Sequence, residues 1–218
     1  MEFRSIDGHW SSVPSAHDIG DPSTGFATTR SRAARLMTAS SDPPPEAYGR
    51  VSDPERYRVL HQAASRLIQE LVDDFDVLIH EAGALDPESA PGLEAERSVK
   101  LEPVSTDAAP VMIALTPSPG VYVQFGRWEQ RSYPSCGCDA CDEDPVELVR
   151  LLRVEVRAVV AGNFREELRR GLRARKTMEL WGDGWRSAHY GSVKRREMKR
   201  LGQPGRHEWR PWPRRAPG

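Results

Sequence analysis

The sequence predicts an α+β domain of two layers, in which a three-stranded antiparallel meander packs on two amphipathic helices, with a hairpin near the C-terminus. Three observations carry this expectation. Apolar residues recur at helical spacing from Tyr57 to Ile79. They recur with the same period from Leu148 to Leu172. Between these stripes lie three short segments of strand character separated by turn residues.

Residues 1–45 are rich in Ser, Asp, Gly, Pro and Thr and end in Asp42-Pro43-Pro44-Pro45, so they read as a disordered extension. Its histidines, His9 and His17, are not assigned as ligands. The single α+β domain is expected over 46–191. Asp53-Pro54 opens the first helix, with Asp at the cap and Pro at the first helical position. Leu60, Ala64, Leu67, Ile68, Leu71, Phe75 and Leu78 continue its stripe, and Gly83 ends it. The predicted helix therefore carries both His61 and His80.

The first strand covers Ser98 to Glu102, with Val99 and Leu101 on one face. The second is the apolar run Val111 to Thr116, and Pro117-Ser118-Pro119-Gly120 turns the chain into the third, Val121 to Phe125. Connections this short favour antiparallel neighbours. After Trp128 an irregular stretch is expected. Asp144-Pro145-Val146-Glu147 then starts the second helix, with the spacing of a capping box. Trp181-Gly182-Asp183-Gly184-Trp185 is a hairpin turn between two short strands. Residues 192–218 form a basic tail rich in Trp and Pro.

The chain has 218 residues and a formal charge of −1, which hides an asymmetry. Residues 46–172 hold 14 basic and 23 acidic groups, and residues 173–218 hold 13 and 4. A basic tail lying on its own acidic body explains this. An arm for an anionic partner such as nucleic acid is the alternative, with Trp181, Trp185, Trp209 and Trp212 available to stack bases. No apolar run reaches the length of a membrane span, and no apolar leader opens the chain, so the expected location is cytoplasmic. No phosphate loop, dinucleotide fingerprint, nucleophile elbow or His-Glu-x-x-His occurs, which argues against the commonest enzyme classes.

The most informative segment is Cys136-Gly137-Cys138-Asp139-Ala140-Cys141, which contains every cysteine of the chain. An odd number of thiols so close together argues against a disulfide framework. Thiolates are zinc ligands, and Cys138-x-x-Cys141 offers two from one tight turn. Gly137 permits the backbone angles that would aim Cys136 at the same point. The fourth ligand is open: His80 is the expected one, with His61, His189, Asp139, Asp142, Glu143 or a water as alternatives. The expected cofactor is one zinc ion. A redox pair of Cys138 and Cys141 is the rival reading. Against it, the helix N-terminus lies beyond Cys141, and acidic neighbours should raise the thiol pKa values.

The run Tyr133-Pro134-Ser135-Cys136 to Glu143, the helical Ala158 to Arg165, and Trp209-Arg210-Pro211-Trp212-Pro213-Arg214-Arg215 together resemble an uncharacterised actinobacterial family. Pro44 to Tyr48 and Asp53 to Arg56 are similar to it as well, so the resemblance spans about 44–215. It implies a shared fold and no activity. The sequence thus leads to an interaction or regulatory module, with a protein as the expected partner.

Overall fold

The computed structural model describes residues 42–82, 93–171, 174–194, 197 and 201–216. Most of the predicted N-terminal extension, Gly83 and part of the stretch around 193–201 lie outside them.

Pro54–Tyr57 forms a 3₁₀ turn that feeds directly into helix α1, Arg58–Asp74. The turn starts at the expected proline, but Asp53 makes no side-chain cap. Leu60, Ala64, Leu67 and Leu71 are buried along one face of α1. The helix is shorter than its stripe. The chain turns extended at Phe75 and enters β1, Val77–Ala82. Leu78 and Ile79, read as the last helical turn, are therefore exposed residues of an edge strand, and His80 leaves the helix with them.

Strands β2 (Arg97–Pro103), β3 (Val111–Thr116) and β4 (Gly120–Phe125) match the three predicted segments. With β1 and with β5, Glu129–Tyr133, they make a five-stranded antiparallel meander in the order β1-β2-β3-β4-β5. The prediction of three strands is corrected to five. β5 escaped notice because its inward face is Glu129, Arg131 and Tyr133. A strand whose buried face is mostly charged carries no apolar alternation to read.

Helix α2, Pro145–Val160, begins as predicted: the Asp144 carboxylate accepts a hydrogen bond from Val146 N at 2.9 Å. It ends twelve residues earlier than its apolar stripe. Gly162, at φ +76°, closes it, with Gly162 N bonded to Val159 O and Asn163 N to Ala158 O. Beyond it Phe164, Glu166 and Leu168 are the inward residues of β6, Phe164–Arg169. Phe164 and Leu168 are four apart, a spacing that satisfies both the helical and the strand period.

The predicted hairpin is present, but as part of a second sheet. β7 (Arg175–Gly182) and β8 (Trp185–Ser192) pair across Asp183-Gly184. Strand β9, Gly205–Glu208, pairs with β6 on the other side, giving the order β8-β7-β6-β9. The segment read as a tail is thus woven into the fold. Trp209 and Trp212 are buried, Trp212 Nε1 donates to Ala109 O, and Pro213 O accepts from Asp76 N. A Cβ on Gly162 would lie 2.6 Å from Pro211 N, so only glycine permits this approach.

One large apolar cluster joins both helices to strands of both sheets, and two smaller clusters flank it. α1 lies on β3 and β4, while α2 packs on α1 and reaches β7. Phe125 of the first sheet meets Phe164 of the second edge to face. Among the described residues no helix is long and apolar enough to cross a membrane.

Candidate metal centre

β5 delivers the chain to the cysteine loop, and α2 leaves it. Between them, residues 134–144 are held mainly by polar contacts. The Glu143 carboxylate turns back and accepts hydrogen bonds from Ser135 N and Oγ, Cys136 N and Gly137 N, at 2.9–3.2 Å. Burial alone would raise its pKa. These backbone and hydroxyl donors outweigh that effect and hold it below the usual value. Gly137 has φ +76°, and a side chain there would press on the Pro134 ring. Asp142 also adopts positive φ, at 42°. Cys141 N and Asp142 N both donate to Cys138 O, which coils the Cys138–Cys141 segment into a tight turn.

The stretch just before α1 clasps this loop from outside. Asp139 N donates to Arg50 O and Ala140 N to Ala47 O. The Asp139 carboxylate takes hydrogen bonds from Ser52 N, Ser52 Oγ and Arg50 Nε, at 2.6–2.8 Å, and its pKa falls to about 2 as a result. Arg56 Nη1 lies 2.7 Å from Asp142, with its guanidinium stacked over the Tyr57 ring. The three acidic residues thus act as clamps on the loop. The leading causes of the thiol shifts are burial and the neighbouring thiols and backbone groups.

The clamps bring the sulfurs of Cys136, Cys138 and Cys141 within 4.8 Å of one another. Cys138 is buried, while Cys136 and Cys141 are exposed. Cys136 donates to Cys138 across 3.2 Å. Burial raises the Cys138 pKa, but the Cys136 thiol, the Cys141 backbone and thiol, and the Gly49 backbone N–H all lower it, to about 7. Cys141 moves the other way, to about 12, through burial first and then the neighbouring thiols.

A tetrahedral zinc ion with bonds of about 2.3 Å places its sulfurs about 3.8 Å apart. The observed cluster brackets that spacing, so three thiolates could hold a metal ion.

The expected fourth ligand, His80, is elsewhere. It lies on β1, four strand spacings of about 4.8 Å from β5, and its Nε2 sits 3.5 Å from Glu102. His61 Nε2 is engaged at Gly120 N and O. His189 lies between Arg131 and Glu129. Among the described residues no imidazole or carboxylate oxygen joins the three sulfurs. The clasp by residues 47–52 was not foreseen. Its one sequence signal is the pairing of basic Arg50 and Arg56 with the acidic loop.

No curated protein matches the chain. No solved structure matches it either. A family model does, over residues 25–216, reaching further toward the N-terminus than the resemblance read from the sequence. The chain belongs to the family described as "Family of unknown function (DUF6226)".

Proposed function

We propose that this protein is a metal-dependent interaction or regulatory module, in which Cys136, Cys138 and Cys141 bind one zinc ion. The observation that carries the reading is the convergence of three sulfurs within 4.8 Å on a loop clamped by carboxylates from within and by residues 47–52 from outside. Backbone N–H groups of Cys141 and Gly49 directed at the Cys138 sulfur add support, since such donors favour a thiolate. A bound ion would lock the loop to the start of α2 and to the segment before α1. That couples metal occupancy to the exposed surface those segments share.

Elemental analysis for zinc, iron and copper, on protein purified without an affinity metal column, tests this. About one zinc per chain is the expected result. Metal-free protein with three freely titrating thiols would overturn it.

A thiol-redox reading is the second, with its pair reassigned. Cys136 and Cys138 are the close pair at 3.2 Å, and the Cys138 pKa is lowered to about 7, whereas that of Cys141 is raised to about 12. Rapid alkylation of Cys138 at neutral pH would favour this reading over zinc. The nucleic-acid reading loses two of its four stacking residues, because Trp209 and Trp212 are buried, while Trp181 and Trp185 keep part of their surface. A protein partner and a cytoplasmic location remain parts of the proposal.

A further inference from the structure

We infer that an ion held by Cys136, Cys138 and Cys141 keeps its fourth coordination position open to solvent, and that this position takes a small exogenous thiol, bound as its thiolate. The inference rests on the metal reading of the loop and names the ligand that completes it.

The protein supplies three donors and withholds the rest. Asp139 is committed to Arg50 and Ser52, Asp142 to Arg56, and Glu143 to Ser135, Cys136 and Gly137. The described histidines nearest in sequence argument, His61, His80 and His189, are each bound elsewhere. Burial sets the direction of the opening. Cys138 is enclosed and its two partners are exposed, so an ion seated on the three sulfurs faces outward between Cys136 and Cys141. Structural zinc sites are closed by four protein ligands, and sites that bind other molecules keep one position free.

Chemistry selects the occupant. Three thiolates on a dication leave a net charge of −1 and donate strongly to the metal. Such a centre acidifies bound water poorly compared with a centre of neutral imidazoles. A soft, sulfur-rich centre prefers another soft donor. The exchange balances without any redox change: the incoming thiol loses its proton to the buffer, its sulfur bonds to the metal, and the water there leaves. Two of the acidic groups beside the loop, Asp139 and Asp142, are paired with arginines, and Glu143 is turned to backbone and hydroxyl donors.

The test loads the full-length chain with cobalt(II) and titrates it with 2-mercaptoethanol, reading thiolate-to-cobalt charge-transfer absorption and the bound cobalt count. The expected result is a saturable rise of about 1.3-fold, the ratio of four thiolates to three, with one cobalt retained per chain. Absorption that stays constant while cobalt remains bound overturns the inference and leaves the metal reading intact. Loss of cobalt on adding thiol also overturns it. Absence of any charge-transfer band before thiol is added overturns the metal reading itself. The Cys138→Ser chain should show no saturable rise, and an equal rise there would assign the signal to cobalt–thiol complexes in solution and overturn the inference.

Discussion

Two polar assemblies follow one another along the chain, and they are built on opposite plans. The first lies between the sheets. Glu129 and Arg131 of β5 pair with each other, Arg131 reaches Glu155 of α2 and His189 of β8, and Tyr133 OH donates to Glu155. Close by, Glu166 of β6 accepts from Arg127 N, Trp128 N and Trp209 Nε1. Glu166 and Tyr133 find hydrogen-bond partners here, whereas Arg131 Nη2 is buried with no hydrogen-bond partner among the described residues. The second is the cysteine loop, beginning just beyond Tyr133. Its carboxylates are also satisfied, but its three sulfurs converge chiefly on one another. The interior assembly links residues of both sheets and of α2, while the loop gathers donors that lack a common acceptor.

The comparison breaks most visibly at Glu155. Removing it as Glu155→Ala leaves Arg131 with one carboxylate fewer and deprives the Tyr133 hydroxyl of its acceptor. Loss of one partner from a buried ion pair costs about 3–5 kcal/mol. Urea unfolding should show that loss with and without zinc alike. A loss under 1 kcal/mol would mean that the assembly is solvated and does not hold the sheets.

Glu166 sharpens the contrast through pH. Burial raises its pKa from 4.5 to about 7, against the opposing pull of its three N–H donors. The folded state therefore binds a proton more tightly than the unfolded chain. The resulting stability is fully present below pH 4.5 and is lost as pH rises through 7. The shift corresponds to roughly 3 kcal/mol. Glu166→Gln should lack this decline, so the stability difference between wild type and variant should shrink in size or change sign between pH 4.5 and 7. Parallel pH–stability curves for the two proteins would refute the assignment. Asp139 and Glu143, whose pKa values are lowered, act in the opposite direction and are common to both chains.

At the loop, the predicted response depends on metal. Zinc at a hundredfold excess over its dissociation constant should stabilise the wild type by about 2.7 kcal/mol. Cys138→Ser should abolish that gain and leave stability in chelator nearly unchanged. Equal zinc responses in both proteins would place the ion away from the loop.

These contrasts also explain what could be read from the sequence. The helix starts at Pro54 and Pro145, the strands β2 to β4 and the hairpin turn at Asp183-Gly184 were legible, because each has an unambiguous local signal. β5 and β6 were not, because their inward faces carry Glu129, Arg131 and Glu166, residues that pattern reading assigns to solvent. Missing β5 and β6 and missing the interior assembly are one omission: a charge is buried only where partners from distant elements meet it, and no local window contains those partners. The three cysteines were legible as a site since their ligand chemistry is local. Their supposed fourth ligand was not, because placing His80 on a helix rested on Leu78 and Ile79, which sit on an exposed edge strand.

The smallest expected effect is at Gly137. Its φ of +76° places it in the left-handed region, and a methyl group there would stand 3.1 Å from Pro134 Cγ. Gly137→Ala should cost about 1–2 kcal/mol in the presence of chelator, the usual penalty for a side chain in that conformation. Its second consequence is more telling. Gly137 sets the direction of Cys136 relative to the Cys138–Cys141 turn, whose own geometry is fixed by hydrogen bonds to Cys138 O. If three thiolates share one ion, the alanine variant should bind zinc more weakly than wild type in a competitive chelator titration while still binding one equivalent. An unchanged affinity would reduce the ligand set to Cys138 and Cys141, and with it the case for treating the loop as a three-thiolate centre.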